Sequence, residues 1–354
     1  MIVGVPPRWF RRLVLAPLIL TASLVLALGL PFLVLAAWLY SVATRSRDRA
    51  ARILVFLAVY MSVESVALVR AFWLWVAAGF GRRRDEQFLE RHYELLRWAL
   101  ASVVDAARGV LDVRFDVDDR DPSFDDDLTT RETRPVIVLS RHAGPGDSFL
   151  LVEELLVSGH RPRIVLKSLL QWEPLLDIVL NRVPSSFVGG GRDQTLAEMT
   201  RLAGGMSAGD AFVLFPEGAN FTESRRQRSI AKLEEAGEHE RAERARRMRH
   251  VLSPRSAGTL AVLEAAPEAD VIFVAHTGLE DLSRPIDLWR GLPLHAEIEV
   301  ASWRVSAEEI PETEHARRDW LDDWWHRIDE WIVDTRGTES VPDAVSEQLE
   351  RWHR

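Results

Sequence analysis

A histidine and an aspartate lie five positions apart in the stretch SRHAGPGDSF, which covers residues 140–149. A carboxylate that binds one imidazole nitrogen fixes the tautomer and leaves the other nitrogen free to take a proton from a hydroxyl. His142 and Asp147 are therefore candidates for a general base and its partner. The same spacing is typical of a turn in which an aspartate caps a helix, so the pair alone leaves both interpretations open.

The neighbouring residues predict the elements that would position this pair. Residues 136–140 (VIVLS) predict a buried strand, the glycines that follow predict a turn, and residues 148–158 have helical periodicity. Asp147 falls at the expected N-cap of that helix. This strand–turn–helix does not carry the G-x-S-x-G sequence of a nucleophile elbow, which favours direct attack by a hydroxyl substrate over a covalent enzyme intermediate.

A second stretch, AFVLFPEGANFT at residues 211–222, places Glu217 and Gly218 after an apolar strand that ends at a proline. Together the two stretches belong to an ordered set that resembles the glycerolipid acyltransferases, especially the lysophosphatidic acid acyltransferase group. The blocks of that set are His142 to Asp147, residues 187–192, residues 215–218 and the strand around 271–276, with a K-x-x-L segment that begins at Lys167.

Further stretches resemble one eukaryotic-type branch of the same family, so that the resemblance covers roughly residues 135–335. They are HVLSPRSAG at 250–258, the Ile-Pro pair at 310–311 and the Trp-Leu pair at 320–321. Two positions depart from the family pattern: Arg141 stands where asparagine is frequent, and Ala219-Asn220 stands where Thr-Arg is frequent. Arg255 or Arg141 would then have to supply the missing positive charge.

The resemblance implies a role for each matched residue. His142 would be the general base, Asp147 would orient it, and Arg192 would bind the acceptor phosphate through its guanidinium fork. The acceptor and phosphate site would comprise Arg192, Glu217, Gly218, Lys167 and Arg255. The resemblance implies no metal and no bound cofactor, since acyl-CoA or acyl-carrier protein would be a co-substrate.

Short β-like runs alternate with helical runs, which predicts an α/β fold with a mixed β-sheet flanked by helices, as the resemblance also implies. A charged helix is expected over 224–250, either as a solvated surface or as a border of the headgroup pocket. Tryptophans in a terminal helix over 313–335 fit either core packing or an interfacial belt. The predicted strands are 113–117, 136–140, 164–166, 187–188, 211–215, 271–275 and 295–303, and the other predicted helices are 86–108, 148–158, 170–181, 194–207 and 256–265.

The first part of the chain predicts membrane attachment. Residues 13–44 carry no charge, and a second apolar stretch at 53–80 contains only two charged residues, Glu64 and Arg70. Residues 1–84 hold eleven arginines against two acidic residues, a net charge of +9, so the rest of a chain of net charge −9 carries −18. A basic apolar head favours an anionic membrane surface over nucleic acid. Two spans and a hairpin within one leaflet both fit, because basic clusters flank both stretches.

These features predict a membrane-attached helical hairpin at 1–84, an α/β acyltransferase domain at 85–335 and a C-terminal tail at 336–354. We expect an enzyme of phospholipid biosynthesis that acylates lysophosphatidic acid, in the cell membrane with its catalytic domain on the cytoplasmic side. Its partners would be lysophospholipid, acyl thioester and membrane lipids, without nucleic acid. Another lysophospholipid or glycolipid acceptor, or a non-catalytic lipid-binding role, are the alternatives.

Overall fold

The computed structural model describes residues 4–44, 48–112, 114–117, 134–144, 146–189, 191–278 and 297–336. Seven strands form one sheet in these residues: β1 (Arg114–Val117), β2 (Val136–Ser140), β3 (Arg161–Lys167), β4 (Ser186–Val188), β5 (Asp210–Leu214), β6 (Asp270–His276) and β7 (Glu297–Val305). Their order is β1-β7-β6-β2-β5-β3-β4. The expected α/β fold with a mixed sheet flanked by helices is confirmed.

The direction of the strands brings the candidate residues to one edge of the sheet. Strands β4, β3, β5, β2 and β6 are parallel, whereas β7 runs antiparallel to β6 and parallel to β1. The loops after β2, β3, β4, β5 and β6 therefore all leave the sheet at the same edge. In open α/β sheets, ligands bind outside the carboxyl ends of the parallel strands, which is this edge.

Ten helices accompany the strands in the described part of the chain. They are α1 (Arg8–Thr44), α2 (Arg49–Ala77), α3 (Glu86–Leu111), α4 (Asp147–Val157), α5 (Pro174–Leu180), α6 (Arg192–Gly204), α7 (Glu223–Glu235), α8 (His239–Arg247), α9 (Ser256–Ala265) and α10 (Glu314–Arg336). The single helix expected over 224–250 is wrong. Gly237 adopts a φ of +76° between α7 and α8, a left-handed conformation that interrupts a right-handed helix.

The core lies on both faces of β2, β5 and β6, whose central residues are continuously apolar because helices cover each face. Successive side chains of a strand point to opposite faces. Ile137 of β2 and Phe273 of β6 accordingly pack with α9 and α10, whereas Val138 packs with α4 on the other face. Trp324 stacks on Phe273 with ring centroids 4.3 Å apart, so the terminal helix places this tryptophan against the core.

Helices α1 and α2 are long and apolar enough to cross a membrane, which supports membrane association. Large apolar side chains of α1, such as Leu18, Leu28 and Phe32, are exposed, as expected of a helix in contact with lipid. A π-helical turn at Arg11–Leu15 precedes Pro17, which lacks the N–H that an α-helix would direct at residue 13.

Buried polar contacts join these helices to the sheet domain. Arg11 and Arg12 contact Asp177 of α5 at 2.7 and 3.3 Å, and Asp177 is fully buried. Glu64 of α2 faces Glu173 at the start of α5, where burial, and then the hydrogen bond with Glu64, raise the pKa of Glu173. Arg11 and Arg12 of α1 and Glu64 of α2 thus contact protein.

Candidate active site

His142 lies two residues beyond the end of β2, in the turn that leads to α4. Its Nδ1 atom is 2.9 Å from Oδ2 of Asp147. A carboxylate can only accept hydrogen bonds, so this contact assigns the hydrogen to Nδ1 and leaves a lone pair on Nε2. The His142 side chain is 22% exposed, and no described residue hydrogen-bonds Nε2. The imidazole therefore offers a proton acceptor to an incoming group.

Asp147 turns its carboxylate back onto the turn that carries the histidine. Oδ2 also accepts the backbone N–H groups of Ala143 and Gly144 at 2.8 and 3.1 Å. Burial by itself raises the pKa of the Asp147 carboxyl, but the hydrogen bond and charge of His142 and the charge of His276 outweigh burial and lower this pKa. Asp147 therefore remains ionised beside the imidazole.

The expectation that Asp147 caps its helix is wrong. Asp147 is the first residue of α4, Gly146 occupies the N-cap, and no side-chain capping bond is formed. The second carboxylate oxygen, Oδ1, instead accepts the N–H of Ser148 at 2.6 Å. The carboxylate therefore binds the backbone of the turn and the imidazole of His142, and no side chain caps the N-terminus of α4.

Glu217 fixes the backbone of His142 from the neighbouring strand. Its Oε1 accepts the His142 N–H at 3.0 Å, and its Oε2 accepts the Leu252 N–H at 2.9 Å. The Phe221 N–H donates to the His142 carbonyl at 2.9 Å, so both backbone groups of the histidine are held. Burial raises the pKa of Glu217 to about 7, against the opposing effect of the N–H donors and the Arg141 charge.

The sequence indicated no role for His276, and the prediction that Arg141 could supply the missing positive charge is wrong. Arg141 is fully buried and donates to the carbonyls of His276 and His250 at 2.5 and 2.9 Å, so it is not available for a phosphate. Nε2 of His276 lies 3.9 Å from Oδ2 of Asp147 and 3.2 Å from the Arg141 carbonyl. The position of His276 could have indicated that it lies near the site, because β6 ends at this residue and pairs with β2.

A groove of about 940 Å³ opens beside the histidine, between the loop after β5 and helices α6, α7 and α9. Phe215 lines the groove and packs its ring against the His142 ring, with centroids 4.7 Å apart. Arg192, Gly218 and Arg255 also line the groove. The histidine therefore lies one side chain away from a cavity large enough for part of a lipid or nucleotide.

Gly218 permits the close approach of Arg255. It has a φ of +67°, and a Cβ at this position would lie 2.9 Å from a guanidinium nitrogen of Arg255. The Arg255 N–H donates to the carbonyl of Pro216 at 2.9 Å, which joins the two segments. Lys167, by contrast, is exposed at the end of β3 and does not line the groove.

The predicted acceptor residues Arg192, Arg255 and Glu217 differ in what they present to this groove. The Arg192 and Arg255 side chains are exposed and line it, whereas the Glu217 carboxylate is buried and accepts from the backbone. Glu217 thus shapes the groove through the backbone that it holds. In the described part of the chain, no group of three or more His, Cys, Asp or Glu side chains is arranged to hold a metal ion.

The arrangement can remove a proton from a hydroxyl placed at Nε2 of His142, with Asp147 supporting the imidazolium that forms. A G-x-S-x-G sequence does occur at residues 205–209. Its serine, Ser207, precedes β5 and hydrogen-bonds Asp210 at 3.0 Å, at the opposite edge of the sheet from His142. This serine therefore has no access to the histidine.

Comparison with known proteins agrees with this chemistry. No curated protein and no solved structure matches the chain. Residues 123–274 match the family model described as Acyltransferase. This range contains His142, Asp147 and every residue that lines the groove. The match and the geometry together support an acyltransferase enzyme that transfers an acyl group to a lipid acceptor.

Proposed function

We propose that this protein is a membrane-attached O-acyltransferase that moves a fatty acyl group from an acyl thioester to the free hydroxyl of lysophosphatidic acid. The product would be phosphatidic acid, which places the reaction in phospholipid biosynthesis. The single observation that carries the proposal is the 2.9 Å contact between His142 and ionised Asp147 beside an open groove. The acyl donor is acyl-CoA or acyl-carrier protein.

In the proposed reaction, Nε2 of His142 takes the proton of the acceptor hydroxyl as the hydroxyl oxygen attacks the thioester carbonyl. The new C–O bond forms, the C–S bond breaks, and the departing thiolate takes the proton back from the imidazolium. Asp147 stabilises the imidazolium through Nδ1 and holds its orientation. Glu217 is a positioning residue, because it contacts the backbone of His142 and not the reacting atoms.

The acceptor phosphate is held by Arg192 and Arg255 in this proposal. Both line the groove that begins at Phe215, and a guanidinium matches phosphate with two parallel hydrogen bonds. Gly218 leaves the space that Arg255 occupies. Lys167 lies at the same sheet edge outside the groove, where it would meet the phosphate only as it enters.

Membrane attachment would bring the enzyme to its substrates, since both carry acyl chains that dissolve in lipid. Helices α1 and α2 supply two apolar segments for this purpose. We place the protein in the cell membrane with the sheet domain on the cytoplasmic side, where acyl thioesters are made. The division into a hairpin at 1–84, a domain at 85–335 and a tail at 336–354 remains part of the proposal, and residues 337–354 lie outside the described range.

The test uses the purified full chain in detergent with labelled acyl-CoA and lysophosphatidic acid, and identifies the product by mass. His142→Ala is expected to lower the rate by about a thousandfold, since a general base contributes roughly 10²–10⁴. His315→Ala is the matched control, because this histidine is 87% exposed and lies on α10. An unchanged rate in His142→Ala would reject the proposal.

A different lysophospholipid or glycolipid acceptor is the second candidate function. The motivation is Ala219-Asn220, which replaces the Thr-Arg pair of the family pattern and removes one positive charge. A panel of lysolipids in the same assay decides between the two, and a clear preference for lysophosphatidic acid rejects this alternative. Thioester consumption that depends on His142 and Asp147 would reject a purely lipid-binding role.

A further inference from the structure

Helix α7 presents a row of positive charge to the groove. Arg225, Arg228 and Lys232 all line it, and their spacing of three and four residues places them on one face of the helix. Arg225 donates to the Asn220 carbonyl at 2.8 Å and Arg228 to the Ser224 carbonyl at 3.0 Å. These contacts use one nitrogen of each guanidinium and leave the others to face the groove.

Several other basic residues of α7 and α8 form ion pairs with carboxylates. Arg226 contacts Glu223 at 3.1 Å, and Arg241 contacts Asp322 at 2.6 Å. Arg246 contacts acidic residues of both helices. In the part of the chain that the structure describes, five groove cations have no carboxylate within salt-bridge distance: Arg192, Arg225, Arg228, Lys232 and Arg255.

This charge exceeds what one phosphate can neutralise. Five like charges around one groove repel each other, and a phosphate monoester brings only about −1.5 to −2 at pH 7. Arg225 and Lys232 are also about 10 Å apart along the helix axis, at roughly 1.5 Å per residue. A single phosphate between Arg192 and Arg255 would leave the row on α7 without a counter-charge.

We propose that Arg225, Arg228 and Lys232 bind a second phosphate group, in addition to the acceptor phosphate. This inference rests on the proposed function, which assigns the first phosphate to Arg192 and Arg255. The second phosphate can come from two sources with the same chemistry. One is a lysolipid whose headgroup carries two phosphates, and the other is the nucleotide end of an acyl-CoA donor.

The test compares two double variants of the full chain that lose the same charge. Arg228→Gln with Lys232→Gln removes two cations from the groove face of α7 and leaves Arg225 with its loop contact. Arg201→Gln with Arg247→Gln is the control, because these arginines are exposed and lie outside the groove. Dissociation constants are measured by titration calorimetry in detergent for lysophosphatidic acid, a bisphosphorylated lysolipid and coenzyme A.

We expect the groove variant to weaken binding of the bisphosphorylated lysolipid or of coenzyme A by about tenfold or more, because hydrogen bonds to charged groups are lost. Lysophosphatidic acid should bind within about twofold of wild type, and the control should bind all three as wild type does. The ligand whose binding is weakened in the groove variant identifies the source of the second phosphate.

Two results would overturn the inference. One is equal binding of all three ligands by the groove variant and the control. The other is weaker binding of acyl-carrier protein, titrated as a fourth ligand, with unchanged binding of coenzyme A and the bisphosphorylated lysolipid, which would make this face a protein docking surface. Failure of the proposed function would give a different result. The wild-type protein would then show no His142-dependent acyl transfer, whatever dissociation constants the titrations give.

Discussion

Two buried carboxylates on either side of His142 differ in what they do for it. Asp147 and Glu217 each follow a strand that ends at the same sheet edge, and each accepts backbone N–H groups. The Asp147 carboxylate also meets the imidazole, which helps to lower its pKa. The Glu217 carboxylate contacts the backbone of His142 and of Leu252 but not the imidazole, and burial raises its pKa to about 7.

Burial alone therefore does not decide the charge of a carboxylate. Both side chains are nearly inaccessible, yet the cationic partners of Asp147 outweigh its desolvation and those of Glu217 do not. Asp147 is therefore suited to support an imidazolium during the reaction. Glu217 is suited to hold two backbone segments at a fixed distance, and its charge is secondary to that task.

Asp147→Asn should give the largest effect in this comparison, a loss of about 10²–10³ in kcat. The amide is isosteric but carries no charge to stabilise the imidazolium, and it can hold the imidazole in the wrong tautomer. The measurement is the steady-state rate of acyl transfer, with Asp105→Asn as an exposed control on α3. A loss below about threefold would contradict a role for this charge.

Glu217→Gln should lower kcat by only about tenfold. The amide has one acceptor oxygen where the carboxylate has two, so one of the N–H groups of His142 and Leu252 loses its partner. The histidine itself and its contact with Asp147 remain. An exposed glutamate of α7, Glu223, provides the matched Glu→Gln control. A loss as large as that of Asp147→Asn would contradict the distinction between the two carboxylates.

The same variant should change how stability depends on pH. The pKa of Glu217 is raised from 4.5 to about 7, so the folded state binds more protons than the unfolded state between these values. The free energy of unfolding should then fall by about 3 kcal/mol as pH rises from 4.5 to 7. Denaturation of Glu217→Gln in detergent should lack this fall, and an identical pH slope in both proteins would contradict the assignment.

The window for Asp147 lies elsewhere on the pH scale. Its pKa is lowered from 3.8, so the unfolded state binds more protons in acid. The stability that this carboxylate contributes is present above pH about 4 and is lost as pH falls below that value. The contributions of Asp147 and Glu217 can therefore be separated in one titration from pH 3 to pH 8.

Gly218→Ala should have the smallest effect on activity, a rise of about three- to fivefold in the KM for the acceptor with kcat within about twofold. The new Cβ would displace the Arg255 guanidinium, and the φ of +67° adds about 1–2 kcal/mol of strain. Gly109→Ala is the control, since its Cβ would meet nothing within 4 Å. An unchanged KM would show that Arg255 does not bind the acceptor.

Much of the scaffold could be predicted from the sequence because its signals are local. Continuous apolar runs such as VIVLS identify strands that are buried on both faces, and the observed β2 has the predicted bounds. The pairing of His142 with Asp147 was also predictable, since five residues and two glycines confine both side chains to one turn. The break at Gly237 was harder to see, because charged helices of this composition tolerate an isolated glycine.

The remaining parts of the site depend on contacts between distant segments. Arg141 was a candidate for the missing positive charge, yet it is buried against His250 and His276, which lie more than a hundred residues further along the chain. The role of Glu217 as a backbone acceptor could be predicted only with knowledge of where Leu252 lies. Predicting which face of α7 lines the groove requires the orientation of this helix relative to the loop after β5. Periodicity and spacing do not carry such information.

Asp147 should act through His142, and a double-mutant cycle measures this coupling. If the two side chains form one unit, His142→Ala with Asp147→Asn should transfer acyl groups within about threefold of His142→Ala alone. The measured quantity is kcat/KM for lysophosphatidic acid with acyl-CoA. Losses that multiply, so that the double variant is a further hundredfold slower, would show that Asp147 works independently of His142.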